Sequence, residues 1–250
     1  MTEVVRRTDR GGGAILTLDS PSNRNALSKS VVNGLSSHLG DARTDDSVRA
    51  VVLTGEGGTF CAGADLTDPP VRSGSGSFAD LLRMLWEYPK PVVVAINGHV
   101  RAGGLGLVAC GDIVVSASTA TFAFSEVRIG VSPAMISVLC LRRMAPLAAA
   151  RYMLSGELFN PDDARRSGLV TSVVPADDLA AVIDRHLSDL ALCEPGALAV
   201  TRSLLREVPQ RGVLEGLQWA QEVSEALFAS PAAAEGIAAF KEKRKPYWAA

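Results

Sequence analysis

The sequence has no long hydrophobic run and no marked excess of charge of either sign. No stretch reaches the roughly 18 consecutive apolar residues that would span a bilayer, and the first residues lack the apolar segment of a secretion signal. Lys and Arg number 25 against 27 Asp and Glu, so the formal net charge is −2. Because nucleic acids and anionic membranes attract basic surfaces, we expect neither as a partner.

Cysteine is scarce and scattered. The four cysteines, Cys61, Cys110, Cys140 and Cys193, show no CxxC spacing, and three of them lie in apolar segments where a thiol usually fills space. We therefore expect no metal site and a reducing, cytosolic compartment. Hydrophobic residues make up 47% and charged residues 21% of the chain, which is typical of a folded globular protein and excludes disordered or fibrous classes.

Short apolar runs rich in β-branched residues alternate with helical patterns through the first part of the chain. The strand candidates are 14–18, 48–53, 91–97 and 112–117. Residues 28–42, 77–89 and 104–110 between them predict helices. Strands that are apolar on both faces need helices packed on both sides of the sheet, so the sequence predicts an α/β core.

The last part of the chain has no strand candidate. Residues 196–208, 213–229 and 232–244 each carry an apolar stripe near the 3.6-residue period of a helix. We assign residues 1–194 to the α/β core and residues 195–250 to a helical C-terminal region. A region of this size is too small to bury a core alone, so we expect it to pack on the α/β body or on another subunit and to support oligomerisation.

Two glycine-containing corners follow predicted strands, at 60–66 (FCAGADL) and 97–107 (NGHVRAGGLGL). Small side chains let the backbone approach a ligand closely. In the second corner the sequence AGG opens a helix, whose free N–H groups favour a developing negative charge. Two such donors on one oxygen form an oxyanion hole. A simple turn and a phosphate cradle are the alternatives, although neither corner matches a nucleotide-binding motif.

Glu126 is the acid best suited to proton transfer, because it lies in the apolar segment 121–137. Apolar surroundings raise the pKa of a carboxyl group towards neutrality, which suits a general acid or base. Taken alone, however, Glu126 is more simply interpreted as a solvated acid paired with Arg128 or another surface base.

Taken together, these segments resemble the crotonase family, also called the enoyl-CoA hydratase/isomerase superfamily. The segments that carry the resemblance fall in family order: PSNRNALS, GGTFCAGADL, KPVVVAINGHVRAGGLGL, CGDIVVSASTATFAFSEVRIG, YMLSGELFNPDDARRSGLV and EGIAAFKEKRKP. The resemblance implies an α/β spiral of repeated ββα units with a helical C-terminal region. It also implies a homotrimer or a hexamer made of two trimers, acyl-CoA thioester substrates, and no cofactor other than the coenzyme A that is part of the substrate.

The resemblance also assigns roles to single residues. The thioester oxygen would be held by the backbone N–H groups of Ala64 and Gly103, and Glu126 would be the acid/base. The positions that would line the CoA channel are Arg24, Ala26, Ala62, Asp65 and Leu66. Lys243 resembles a lysine that reaches a CoA phosphate from a neighbouring subunit, with a plain charged helix end as the alternative.

One position departs from the family pattern. Family hydratases that use two glutamates carry the first at the position of Gly106, so Glu126 would have to do the work of both or another group would have to help. We expect enoyl-CoA hydratase activity, the addition of water across the 2,3 double bond of a 2-enoyl-CoA. The first alternative is a Δ3,Δ2-enoyl-CoA isomerase, for which one glutamate suffices. The second alternative is an acyl-CoA-binding homologue without turnover.

The sequence does not determine the length or the branching of the acyl chain. We expect the tail pocket to be set by the loop at 67–80 and by Phe78, Met84, Met135 and Ile136.

Overall fold

The computed structural model describes residues 4–67 and 76–249, and the strands in these ranges form two sheets. The larger sheet has the order β1-β2-β3-β5-β7-β9, and the smaller sheet has the order β4-β6-β8. The strands are β1 (Val5–Arg10), β2 (Gly13–Leu18), β3 (Ala50–Gly55), β4 (Thr59–Cys61), β5 (Val92–Ile96), β6 (His99–Arg101), β7 (Ile113–Ala117), β8 (Phe122–Ala123) and β9 (Ser172–Val174). Only the β1–β2 pair is antiparallel among these strand pairs.

Ten α-helices lie in the described ranges. They are α1 (Lys29–Thr44), α2 (Phe78–Trp86), α3 (Gly103–Cys110), α4 (Ala134–Cys140), α5 (Pro146–Ser155), α6 (Pro161–Arg166), α7 (Leu179–Ala191), α8 (Pro195–Glu207), α9 (Val213–Phe228) and α10 (Pro231–Glu242). The start of α6 is capped by its own sequence, because the Asn160 side chain accepts a hydrogen bond from the N–H of Asp163 at 2.8 Å and Pro161 is the first helical residue.

The larger sheet is apolar on both faces, as the unbroken hydrophobic strands predict. In β5, Val92, Val94 and Ile96 belong to the main core cluster, which also contains the buried residues of α1, α2 and α3. The alternate residues Val93 and Ala95 face the other way and pack in a second cluster with residues of α7. This alternation places helices on both sides of the sheet and confirms the α/β class.

The spiral of ββα units is visible in the order of strands and helices. In each of the units β3–β4–α2 and β5–β6–α3, the first strand joins the larger sheet and the second joins the smaller one. The next pair, β7 and β8, divides between the sheets in the same way. The smaller sheet was not predicted from the sequence, since its strands have only two or three residues.

The C-terminal region is helical, as predicted, but buries little of its apolar surface within one chain. Between residues 195 and 249, only Arg202, Gly216 and Ala239 are buried. Several large apolar side chains of this region are exposed: Leu205, Val208, Val213, Leu214, Leu217, Phe228, Ile237, Phe240 and Tyr247. The division of the chain at residue 194 stays a prediction.

Arg202 fastens α8 to the α/β body. It is 4% exposed, and its Nε lies 2.6 Å from Asp112 Oδ2. The same carboxylate oxygen accepts the N–H of Val92 at 2.7 Å. The guanidinium also donates to the carbonyls of Leu85, at 2.8 Å, and Tyr88. Because every bond satisfies a group at the end of a strand or helix, this one side chain joins three parts of the fold.

Arg202→Met is therefore expected to lower the free energy of unfolding by about 3 kcal/mol, since it leaves Asp112 without its cation. Urea unfolding followed by circular dichroism measures the effect. Arg166→Met is the matched control, because Arg166 pairs with Asp163 at 2.5 Å on the surface and should cost less than about 1 kcal/mol. Equal losses in the two variants would contradict a special role for Arg202.

Candidate active site

The smaller sheet brings three loop segments to one end. Its strands run parallel, with Cys61 paired to Val100 and Val100 paired to Phe122. Because parallel strands end at the same edge of a sheet, the residues that follow β4, β6 and β8 leave at the same end. Those residues include Ala64, Gly103 and Glu126 respectively.

The first two segments touch through their backbones. A methyl group on Gly63, whose φ is +91°, would lie 2.7 Å from Cβ of Ala102 and 3.3 Å from the backbone nitrogen of Gly103. Only glycine permits this approach. Gly103 is the first residue of α3, so its N–H has no partner within the helix. The amide of Gly103 and the segment of Ala64 therefore lie side by side.

Ala102 holds the corner between β6 and α3 in a conformation that L-residues rarely adopt. Its φ is +46° and its ψ is −121°, a geometry that persists only where the surroundings enforce it. The Ala102 N–H donates to the carbonyl of Ala123 in the third segment at 3.0 Å. The strained residue therefore links the Gly103 amide to the segment that carries Glu126.

The segment 24–27 lies along the first corner. The Leu27 N–H donates to the Gly63 carbonyl at 2.7 Å, and the Ala62 N–H donates to the Arg24 carbonyl at 3.2 Å. Asn25, which the sequence analysis did not single out, is buried and donates through Nδ2 to the carbonyls of Glu56 and Thr59. The structure therefore brings the predicted positions Arg24, Ala26, Ala62 and Ala64 together.

The remaining predicted binding residues have different surroundings. The Asp65 carboxylate accepts from Asn23 Nδ2 at 2.8 Å and from the backbone and hydroxyl of Thr67, so it orders its own loop. Leu66 is 78% exposed. Lys243 follows α10 with a φ of +55° and is exposed. A contact between Lys243 and CoA of a neighbouring subunit stays a prediction.

Glu126 is half-buried, and one of its oxygens has no partner. It lies on a short 3₁₀ helix, Ser125–Ile129, that follows β8. Its Oε2 is buried without a hydrogen bond among the described residues. Burial raises the pKa of the Glu126 carboxyl, opposed by a hydrogen bond from its own backbone N–H. The expected pairing with Arg128 is wrong, because Arg128 Nε donates to the Ser155 carbonyl at 3.2 Å.

Gly106 is buried, and the space above it is filled. A methyl group on Gly106 would lie 2.6 Å from Cγ2 of Ile136 and 3.3 Å from Cδ2 of Leu82. A longer side chain therefore has no room unless Ile136 moves. Position 106 lacks a carboxylate, and the side chains of Ile136 and Leu82 occupy the space that a carboxylate at this position would need.

The predicted tail-pocket residues are only partly together. Met135 lines a groove between α2 and α4 with Leu82, Trp86 and Arg142, whereas Ile136 faces Gly106. Residues 68–75 of the predicted loop lie outside the described residues. Trp86 and Arg142 were missed by the sequence analysis; Trp86 lies in the helix predicted at 77–89, and Arg142 lies in a turn after α4 that no sequence pattern indicated.

Within residues 4–67 and 76–249, no three His, Cys, Asp or Glu side chains are grouped so that they could hold a metal ion. None of the helices in the described ranges is long and apolar enough to cross a bilayer.

The fold and the arrangement of these loops are those of the crotonase class. A profile of the enoyl-CoA hydratase/isomerase family matches residues 9–250. The chain therefore belongs to the enoyl-CoA hydratase/isomerase family, which implies an acyl-CoA substrate. The crystal structure of an enoyl-CoA hydratase from Mycobacterium smegmatis matches with a TM-score of 0.91 at 30% identity, covering 99% of each chain.

Curated relatives of known name also align over nearly the whole length. The 2,3-dehydroadipyl-CoA hydratase of Escherichia coli is 31% identical over 237 residues, covering 93% of each chain. The carnitinyl-CoA dehydratase of Proteus mirabilis is 30% identical over 260 aligned positions, covering 99% of each chain. At this level of identity and coverage the family is established.

Proposed function

We propose that the protein is an enoyl-CoA hydratase that uses Glu126 as its single acid/base. The observation that carries the proposal is the half-buried carboxylate with an unpartnered oxygen, in the segment that follows β8, and β8 pairs with the strand that leads to the Gly103 amide. The named relatives support it, since a hydratase and a dehydratase both move water across a carbon–carbon bond beside a thioester.

The reaction balances with one carboxylate. Glu126 takes a proton from water while the water oxygen bonds to C3 of the 2-enoyl thioester. The electrons of the 2,3 double bond pass to the thioester oxygen, which becomes an enolate held by the N–H groups of Ala64 and Gly103. The enolate then collapses, and C2 takes the proton from Glu126. The residue is a carboxylate again at the end of the cycle.

CoA is proposed to lie along the segments beside the oxyanion amides. The exposed Arg24 suits a phosphate because its guanidinium presents several donors to the phosphate oxygens. The neighbouring positions that would shape the channel are Ala26, Ala62, Asp65 and Leu66, and Lys243 would reach the ligand from another subunit.

The second candidate reaction is Δ3,Δ2-enoyl-CoA isomerisation, and the closed space above Gly106 favours it. Here Glu126 removes a proton from C2 of a 3-enoyl thioester and returns it to C4, and no water is needed. Ile136 over Gly106 removes one place from which a second acid could orient water.

Absorbance of the 2-enoyl thioester separates the candidates: its loss from crotonyl-CoA indicates hydration, and its appearance from a 3-enoyl-CoA indicates isomerisation. Neither change, with CoA binding retained, indicates a binding protein.

Glu126→Gln is expected to lower kcat by at least about 100-fold in either reaction, because general acid–base catalysis typically contributes that much. In the wild type, kcat/KM should fall as pH falls through the raised pKa of Glu126, since only the carboxylate accepts a proton. That acid limb should lie above the pKa of an ordinary glutamate.

The same variant has a built-in control for folding. An ionised carboxyl with a raised pKa lowers stability as pH rises through that pKa, so Glu126→Gln should melt at the same or a higher temperature than the wild type at neutral pH. Near-normal turnover, or a loss of activity together with a lower melting temperature, would count against the assignment.

Gly103→Pro is expected to lower kcat by about 100-fold through loss of one oxyanion donor. The missing N–H has no helical partner at the first position of a helix, but proline also restricts Ala102, whose ψ is −121°, so the loss is assigned to the N–H only if the variant melts at the temperature of Gly103→Ala. Gly103→Ala is the matched control, because it adds a similar Cβ near Leu27 but keeps the N–H. Equal activity in the two variants would remove the Gly103 amide from the mechanism.

We also propose that the chain assembles into a homotrimer or a hexamer through the exposed apolar faces of its C-terminal helices. Single exposed apolar residues are ordinary, but clustered ones mark contact surfaces. Sedimentation velocity should show trimers or hexamers, and Leu214→Glu, at a site 83% exposed, should shift the population to smaller species. A wild type that sediments as a monomer at micromolar concentration would overturn this proposal.

A further inference from the structure

A buried asparagine lies beside the first oxyanion corner, the loop of residues 62–64. Asn25 is 1% exposed, and both Asn25 and Arg24 have a φ of +58°. Asparagine adopts this left-handed backbone more readily than most residues, because its short polar side chain can hydrogen-bond nearby. The position therefore combines an uncommon backbone conformation with a buried polar group.

The side chain of Asn25 makes three hydrogen bonds, all to backbone groups. Its Oδ1 accepts the N–H of Ser20 at 2.8 Å. Its Nδ2 donates to the carbonyls of Glu56, at 3.0 Å, and Thr59, at 2.7 Å. These bonds need one acceptor and two donors, which a primary amide supplies and a carboxylate or a hydroxyl does not. Asn25 therefore joins its own segment to the connection between β3 and β4.

The residues on either side of the asparagine bond directly to the first oxyanion corner. The Arg24 carbonyl accepts the N–H of Ala62 at 3.2 Å, and the N–H of Leu27 donates to the Gly63 carbonyl at 2.7 Å. Leu27 also forms a β-bridge with Ala64. The corner is thus bonded to a segment that the buried amide holds against the start of β4.

The Ala64 N–H depends on this support for its direction. Among the residues that the structure describes, this N–H has no backbone acceptor, so no bond of its own fixes where it points. Gly103 differs, because its amide is the first of α3 and the helix that follows orients it. An oxyanion donor is effective only when it is held at hydrogen-bond distance from the developing charge.

We infer that Asn25 is a positioning residue for the oxyanion hole and that it acts through the Ala64 amide. The inference rests on the proposed function, which makes that amide a donor to the thioester oxygen. Asn25 itself gives no donor to the substrate, since both N–H groups of its side chain are used by backbone carbonyls. It keeps the loop donor in fixed register with β4.

Asn25→Gly is the test variant, because glycine adopts a φ of +58° without strain and removes all three side-chain bonds. Water can enter the vacated polar space and bond to the two carbonyls, so the chain is expected to fold. At saturating crotonyl-CoA, kcat should fall at least about tenfold, since a displaced donor loses part of the effect of one oxyanion contact.

Infrared spectroscopy separates positioning from a general loss of structure. Butyryl-CoA labelled with ¹³C at the thioester carbon has no double bond to hydrate, and its carbonyl stretch moves to lower frequency as hydrogen bonds to the oxygen strengthen. Binding to the wild type should lower this frequency. In saturated Asn25→Gly the shift should shrink by about half, because one of two donors is displaced. Saturation removes any effect of a changed affinity.

Asn97→Ala is the matched control. The Asn97 side chain binds the same connection between β3 and β4, because it accepts the N–H of Gly55 at 3.1 Å and donates to the Gly57 carbonyl at 2.6 Å. In the described part of the chain it makes no bond to segment 24–27. Asn97→Ala should lower the melting temperature but keep the infrared shift and kcat of the wild type.

Asn25→Asp is the second variant, used if Asn25→Gly does not fold. Aspartate also tolerates the left-handed backbone and keeps the acceptor for Ser20, but its carboxylate cannot donate to the two carbonyls. It should lower kcat and the infrared shift as Asn25→Gly does.

A full infrared shift in the Asn25 variants, or an equal reduction in Asn97→Ala, would overturn the inference. So would the absence of a shift in the wild type. Turnover tests the proposed function separately. A wild type that shows the shift but neither hydrates crotonyl-CoA nor isomerises a 3-enoyl-CoA would contradict only the proposed function. Hydration that persists unchanged in Asn25→Gly would contradict only the role of Asn25.

Discussion

Parallel pairing of three very short strands is the constraint on which the candidate site depends. β4, β6 and β8 contribute few hydrogen bonds, yet their shared direction fixes which end of each strand opens into a loop. The larger sheet and its helices keep these strands in register, because each of them continues a chain segment whose preceding strand is buried in that sheet. The candidate site residues thus lie on small elements that a large core holds in place.

Burial serves two different purposes around this site. Arg202 and Asp112 are withdrawn from solvent as a pair and satisfy backbone groups, which is how buried charge is tolerated. Glu126 is half-buried without a cation beside it, and one of its carboxylate oxygens has no hydrogen-bond partner among the described residues. The first arrangement secures the fold, and the second leaves a buried carboxylate oxygen without a hydrogen-bond donor. The contrast is a physical reason to regard Glu126 as functional.

Much of this could be predicted from the sequence. Hydrophobic runs and helical periodicity located most strands of the larger sheet and most of the longer helices, and the resemblance carried by segments such as GGTFCAGADL identified the family. The surroundings of each side chain could not be predicted from the sequence. Nothing in the local sequence shows that Ile136 covers Gly106 or that Arg128 turns to Ser155. These contacts join residues far apart in the chain, and spacing alone encodes only neighbours on one element.

The contact between Gly106 and Ile136 also limits how the chain can diverge. A glutamate introduced at position 106 meets a branched side chain before it meets substrate, so that change is costly until residue 136 has become smaller. A smaller residue at 136 leaves a cavity while position 106 is still glycine. Each step is unfavourable without the other, which is the signature of epistasis. The packing of this pair therefore opposes a second carboxylate at position 106.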